Sequence, residues 1–346
     1  MHSDFADLGF TDETRTQALP VRGGTARPPR KQRDKVKVAF LIILGIVVAA
    51  LIAGGIYVWT LFNSFSQVTV IDDAFPDDAG RPVAVAEAQT FLLLGSDSRA
   101  SGEATIRGRS DTIMVAHIPA DHSTVQVMSI MRDNWVPIPG HGETKINAAT
   151  AFGGIPLMVQ TVEGILDTRI DHVAIIDFES FKGLTTAVGG VTVDNSTAFK
   201  AGSGEHFAAG EITLEGADAL AFVRERKAFS KGDYQRAANQ QLLVKGLISK
   251  ILSAETLANP GRVSALVDQV SPFLSTDEGL DAGYLAGLAV TMRDIRAADV
   301  RFFTSPTLGT GTIKGQSIVK PDWDGLATIS QAIKDGTLDQ YEPTGK

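Results

Sequence analysis

Arg224, Arg226 and Arg236 stand with Asp233 and Gln240 inside the twenty residues from Phe222 to Gln241, FVRERKAFSKGDYQRAANQQ. Guanidinium groups are planar, permanently charged and rich in N–H donors, so such a concentration points to an anion clamp. Arg224 and Arg226 lie two apart, which in an extended segment sends both side chains to one face. Gly232-Asp233 then marks a break, and Asp233 is the expected N-cap of a helix. Behind it Leu243, Val244, Leu247, Ile248 and Ile251 recur at helical spacing, to about Leu252. Arg236 and Gln240, four apart, share a face of the first turns, where unpaired backbone N–H groups and the positive dipole end favour an anion. The expected ligand is phosphate-like.

Four further stretches place polar groups at strand ends: GSDSR (95–99), GRSD (108–111), MRD (131–133) and KIN (145–147). Singly, an Asp at a strand edge is ordinarily a cap, and an Arg-Asp dipeptide ordinarily a surface ion pair of small worth. Their common position in loops at sheet ends is what makes them candidates, because open α/β sheets carry their sites there.

The elements that must position them follow from hydrophobic pattern. Thr90 to Leu94 reads as a buried strand, and Asp111–Ile118 with Thr124–Met131 as a hairpin. Ile155 to Asp167 has helical spacing, Asp171–Phe178 reads as a strand, Glu179–Val188 as a helix ended by Gly189-Gly190, and Val191–Asp194 as a strand. Helical patterns follow near 256–270 and 281–295, then strands at Val300–Thr304 and Ser317–Lys320 and a helix over Trp323–Lys334. This alternation predicts a three-layer α/β/α domain with a mixed central sheet over 88–338, its motif core at 90–252.

Ahead of that domain the sequence predicts a polar disordered tail (1–37), an uncharged apolar run VAFLIILGIVVAALIAGGIYVWTLF (38–62), and a stalk (63–87), with a short tail at 339–346. As a helix the apolar run would reach roughly 37 Å, enough to cross a bilayer core of about 30 Å. Seven Lys/Arg between Arg22 and Lys37 precede it, so the tail is expected in the cytoplasm and the large domain outside, as a single-pass cell-membrane protein. Total formal charge is -8, and residues 63–346 carry 24 Lys/Arg against 35 Asp/Glu. That acidic balance excludes a nucleic-acid partner and makes the arginines a local site. Cysteine is absent, which excludes a disulfide framework and a thiolate metal site. His117, His122, His141, His172 and His206 show no metal-ligand spacing.

Taken together, FLLLGSDSR, GRSDTIMV, SIMRD, KINAA, DHVAIIDFESF, VGGV, LEGADALAFVRER and GDYQRAANQQ, in that order over Phe91–Gln241, resemble the LytR-CpsA-Psr proteins, membrane-anchored phosphotransferases of Gram-positive-type cell walls. The resemblance implies a polyprenyl-diphosphate-linked glycan as donor and peptidoglycan as acceptor, with polyprenyl phosphate released and the lipid chain lying in a hydrophobic tunnel between sheet and helices. It implies diphosphate contacts from Arg109, Arg132, Arg224, Arg226 and Arg236, with Gln240 adding an amide. Asp97 and Asp111 match the carboxylates associated with Mg2+. Lys145 and Asn147 match a binding motif, and Asp233 a second carboxylate that orients the arginines. Met131 stands where the family pattern leads one to expect proline, and Asn239 where many relatives have arginine, so Lys227 or Lys231 is expected to replace that charge.

The residue types agree with such chemistry, because phosphoryl transfer rests on positioning and electrostatics rather than on a protein nucleophile. Asp97 is the expected general base, with Asp133 and Asp233 as rivals. Two other readings remain open from sequence: a pyrophosphatase that hydrolyses the same lipid diphosphate, and a non-catalytic sensor of the envelope.

Overall fold

The computed structural model describes residues 68–96, 110–253, 256 and 259–343. The expected tail and membrane span (1–37 and 38–62), together with Asp97 and Arg109, lie outside the described residues.

Seven strands form the central sheet: β1 (Thr69–Ile71), β2 (Gln89–Ser96), β3 (Ser110–Ile118), β4 (Val125–Ile130), β5 (His172–Asp177), β6 (Ser275–Asp277) and β7 (Val300–Thr304), in the order β1-β6-β5-β2-β3-β4-β7. Pairing is parallel for β2–β5, β4–β7 and β1–β6, and antiparallel for β2–β3, β3–β4 and β5–β6. The sheet is therefore mixed. Because β3 runs against both neighbours, the C-terminal ends of β2, β4, β5 and β7 and the start of β3 all lie along one edge. Smaller antiparallel hairpins pair Trp135–Ile138 with Gly142–Lys145, Val191–Asn195 with Gly210–Leu214, and Thr307–Ile313 with Gln316–Pro321.

Seven helices are described: α1 (Ala149–Leu166), α2 (Phe178–Ala187), α3 (Gly216–Arg224), α4 (Asp233–Ile251), α5 (Pro260–Val270), α6 (Ala282–Thr291) and α7 (Trp323–Lys334). The run at Phe91–Leu94 is apolar throughout because β2 is covered on both faces. Leu92 and Leu94 join Met158, Val162, Ile329 and Ile333 of α1 and α7. Phe91 and Leu93 pack instead with Leu285 and Leu288 of α6. Ile146–Leu166 is long and apolar enough to cross a membrane, yet 56% of its apolar window is buried; it is the core helix of this domain.

Two expectations need correction. Thr69–Ile71, inside the segment expected to be a stalk, is an edge strand paired with Ser275–Asp277. Arg81 from the same segment reaches the buried Glu163 at 2.7 Å and the carbonyl of Ile170 at 2.7 Å. The segment ending in Arg224 is not extended, since GADALAFVR forms α3 and buries Ala219, Phe222 and Val223 at helical spacing.

Candidate active site

The charged side chains converge on the sheet edge where β2, β4, β5 and β7 end. Asp111 is the second residue of β3, and Arg132 and Asp133 follow β4. Lys145 closes the hairpin at Gly142–Lys145, and Arg226, Asp233 and Arg236 come from the α3–α4 junction. Residues roughly a hundred positions apart in sequence thus become neighbours.

Backbone bonds fix the MRD loop. Asn134 N–H donates to the Met131 carbonyl at 2.9 Å, Ile146 N–H to Asn134 at 2.8 Å and Asn147 N–H to Arg132 at 3.2 Å. The KIN motif therefore works mainly as a brace for the loop: Lys145 pairs with Asp133 at 3.2 Å, while Asn147 is 4% exposed. Thr150 Oγ1 donates to the Asn147 carbonyl and accepts from Ser110 N–H, which joins this brace to the start of β3.

The start of α4 departs from expectation in a useful way. Gly232, at φ +48°, occupies the N-cap position, so Asp233 is the first helical residue and makes no capping bond. A side chain at that φ would be strained, which suits glycine. Freed from capping, the Asp233 carboxylate lies 3.5 Å from Arg132 Nε, 3.5 Å from Arg236 Nη1 and 3.7 Å from Arg226 Nη1. Arg132 also pairs closely with Asp111. Burial pushes the Asp233 carboxyl up, but Arg236 and Arg132 outweigh it and hold the group below its ordinary value. For Arg132, burial opposes the charge and Asp111 more than offsets it, so its value is raised. Arg236 is pushed down by burial and by Arg132, with Asp233 compensating only in part. The cluster is thus short of negative charge at Arg236. Arg132 Nε and Asp233 Oδ1 are buried without a hydrogen bond, because their charge partners stand at 3.5 Å or beyond. Of the two, Arg132 Nε is a donor with a bond to give to an entering anion.

Arg224 ends α3 with an exposed side chain, and Arg226 is 48% exposed. Gln240 lies one turn beyond Arg236, donates to the Val223 carbonyl at 3.4 Å, and faces a different environment. There a cavity of about 210 Å³ opens between β2, β3 and β5 on one side and α2, α3 and α4 on the other, lined by Leu93, Ile175, Phe181, Leu243, Val244 and Leu247 among others. Its wall is almost wholly hydrocarbon. Gly95 borders it, and a Cβ there would meet Thr112 Cβ at 2.8 Å, so glycine permits the close approach of β2 and β3.

Glu225 and Gln241 have positioning roles that were not singled out from sequence, and Asn239 figures there only as a missing charge. Glu225, between the two arginines, is 7% exposed and accepts N–H bonds from Gly202 at 2.5 Å, Arg226 at 2.9 Å and Ala228 at 2.9 Å. It shapes the turn that presents Arg226. Gln241 donates to Ser129 Oγ, the Phe303 carbonyl and Thr304 Oγ1 at 2.9–3.1 Å, tying α4 to β4 and β7. Asn239 is 1% exposed, donates to the Phe222 carbonyl at 3.2 Å and accepts from Gln235 at 3.1 Å. It staples α4 to α3, so this position lies in the interior. Met131 is buried against Ala237 and Val319.

The fold and the sequence match known ones. The model of the LytR_cpsA_psr family matches residues 62–335. The chain belongs to that family. It is 36% identical over 255 residues to the polyisoprenyl-teichoic acid–peptidoglycan teichoic acid transferase TagU of Bacillus cereus, over 71% of this chain and 82% of that protein. A protein of the same name from Enterococcus faecalis is 32% identical over 310 residues, or 87% of this chain and 98% of that one. Among solved structures, TagV of B. subtilis is similar with a TM-score of 0.62 at 28% identity, covering 74% of this chain and 99% of that one. Membership agrees with the mixed seven-stranded sheet.

Proposed function

We propose that this protein transfers a glycan phosphate from a polyprenyl-diphosphate-linked glycopolymer onto peptidoglycan; its relatives are named as polyisoprenyl-teichoic acid–peptidoglycan teichoic acid transferases. The observation that carries the reading is one helix joining two chemistries. On α4, Arg236 belongs to the arginine cluster, and one turn later Gln240 lines the hydrocarbon cavity. A diphosphate with a lipid on one end asks for that succession.

In this reading Arg109, Arg132, Arg224, Arg226 and Arg236 hold the diphosphate, with Lys145 as a further binding residue and Gln240 where the lipid begins. Each charge-assisted hydrogen bond contributes roughly 1.5–3 kcal/mol. An acceptor hydroxyl oxygen forms a bond to the phosphorus nearer the glycan. The bond from that phosphorus to the bridging oxygen breaks, and polyprenyl phosphate leaves with the electron pair. The hydroxyl proton goes to a carboxylate. Asp233 suits that role poorly, since the surrounding arginines hold its carboxyl below the ordinary value. Asp133 is engaged by Lys145 at 3.2 Å. Asp97 is therefore retained as the proposed base.

Mg2+ is proposed as cofactor, held by Asp97 and Asp111. Among the described residues no group of three or more His, Asp or Glu could cage a metal ion. A protein cage is not required, since Mg2+ commonly takes one or two carboxylates and completes its shell with water and substrate phosphates. When bound, the ion would neutralise charge on the phosphate oxygens. Titration calorimetry of Mg2+ into Asp111→Asn, with the soluble diphosphate present, tests this independently of turnover; unchanged affinity removes Asp111 from the ligand set.

The run at 38–62 and the basic residues before it support a single-pass membrane protein with its N-terminus in the cytoplasm and this domain outside. The reaction is tested by incubating full-length protein with a lipid-linked glycan and peptidoglycan. Glycan phosphate joined to peptidoglycan is the expected product, whereas free glycan phosphate formed without acceptor would identify a pyrophosphatase.

A further inference from the structure

A second hollow, of about 890 Å³, lies against α4 and is closed by the C-terminal part of the chain. Lys231 just ahead of α4 and Tyr234 and Gln235 of its first turn line it, with Thr304 at the end of β7 and Ser305 and Thr307 beyond. Its size falls in the range of roughly 300–1,000 Å³ usual for ligand sites. Unlike the hydrocarbon cavity, its wall mixes hydroxyl and amide groups with the aromatic rings of Tyr234, Phe302 and Tyr341. Aromatic faces take the C–H side of a sugar ring, and amides and hydroxyls take its OH groups. Its charged residues, Lys231 and Asp322, are one of each sign, which suits a sugar chain better than a polyanion.

Two observations connect this groove to the reaction. Ser305 lines it, is only 3% exposed, and has a buried Oγ with no hydrogen-bond partner. A buried hydroxyl left unpaired needs an explanation, and a ligand that supplies the bond is one. Second, the groove walls are built from the same backbone as the charged cluster. Tyr234, next to Asp233, bonds through its OH to Thr307 Oγ1 at 2.8 Å. In the hairpin that begins at Thr307, Val319 N–H donates to the carbonyl of Asp133 at 2.9 Å.

Helix geometry then decides which substrate enters. Successive residues turn by about 100°, so Gln240, Leu243, Val244 and Leu247 of the lipid cavity and Tyr234, Gln235 and Ala238 of the groove lie on opposite faces of α4. Arg236 falls on the cavity face with Gln240, so the phosphates and the lipid share that face and the groove on the other is left to the second substrate. In phosphoryl transfer the entering and leaving oxygens stand roughly in line on opposite sides of the phosphorus, so the acceptor needs a path separate from the lipid's. We infer that the groove holds the acceptor's saccharide chain and delivers its hydroxyl round the N-terminus of α4; this rests on the transferase reading above.

The test uses full-length protein in detergent and a soluble oligosaccharide of alternating N-acetylglucosamine and N-acetylmuramic acid. Thr310 lines the groove with an exposed side chain, and Thr310→Trp would narrow it. Expected are a loss of oligosaccharide affinity of about tenfold or more and an equal rise in acceptor KM, with donor KM unchanged. Ser305→Ala should weaken oligosaccharide binding by about threefold or more while Tm stays constant or rises, which a purely structural serine would not give. The inference is overturned if the parent protein does not bind the oligosaccharide, or if Thr310→Trp binds it as the parent does. A rise in donor KM alone overturns it too, by assigning the groove to the donor glycan. Oligosaccharide binding that Thr310→Trp abolishes, in a protein that transfers nothing, would keep the groove and overturn the transferase reading instead.

Discussion

The two faces of α4 meet unlike hollows. One, about 210 Å³, is lined by hydrocarbon; the other, about 890 Å³, by hydroxyls, amides and aromatic rings. At the helix N-terminus, on the cavity face, stand Arg236 and Asp233 within reach of Arg132 and Arg226. On the proposed reading a single helix keeps the lipid and sugar ends of the reaction apart, the stripe of Leu243, Val244 and Leu247 facing the lipid and Tyr234 and Gln235 the acceptor.

The harshest way to break this division is to remove the charge shared by both sides. Arg132→Ala leaves Asp111, Asp133 and Asp233 under-compensated and is expected to lower affinity for a soluble diphosphate by about 100-fold and stability by about 3 kcal/mol. Calorimetry and urea unfolding measure both, and oligosaccharide binding in the groove should survive at temperatures where the variant is folded. Next in size, Leu247→Trp fills the apolar cavity and should weaken binding of a long-chain polyprenyl diphosphate by about tenfold, with a short-chain diphosphate unaffected. Equal losses for both ligands would show that the lipid lies elsewhere.

A smaller effect sharpens the comparison at the α3–α4 junction. Glu225→Ala removes the acceptor for three backbone N–H groups and is expected to cost about 2 kcal/mol in stability, with a few-fold loss of diphosphate affinity as Arg226 loses its fixed turn. The smallest concerns acid. Since the folded-state value of Asp233 is depressed, its stabilising contribution is complete above about pH 4 and is lost as pH falls through that lowered value. Asp233→Asn should therefore be less stable than the parent at neutral pH and flatten the acid limb of a urea-midpoint profile. An unchanged limb would mean that the arginines do not act on this carboxylate.

Much of this was legible in the chain itself. The strand after Gln89, the hairpin of β3 and β4, the helix from Asp233 and the last helix at Trp323–Lys334 all follow from local periodicity, and the family from eight ordered motifs. What escaped had no local signal, or a signal that a stronger one covered. The pairing of Thr69–Ile71 with Ser275–Asp277 joins two three-residue strands far apart in sequence. In the RER triplet, the spacing of Ala219, Phe222 and Val223 marks a helix, yet the two arginines suggested extended backbone. Asn239 appeared to be a lost charge because its burial, 1% exposed beneath Phe222, depends on how α3 and α4 pack.

By itself, then, the sequence determined which groups are available and which short elements carry them: arginines for an anion, an apolar stripe on α4, and an apolar run ahead of the domain long enough to cross a bilayer. These are properties of residue type and near-neighbour spacing. Only the tertiary structure decided that Asp111, Arg132 and Lys145 meet Arg226, Asp233 and Arg236, and that Asp233 is released from capping to do so. It alone opened two hollows on opposite sides of one helix. The physical reason is that strand order and helix docking are fixed by burial of both sheet faces at once, a condition on the whole chain that no local pattern contains.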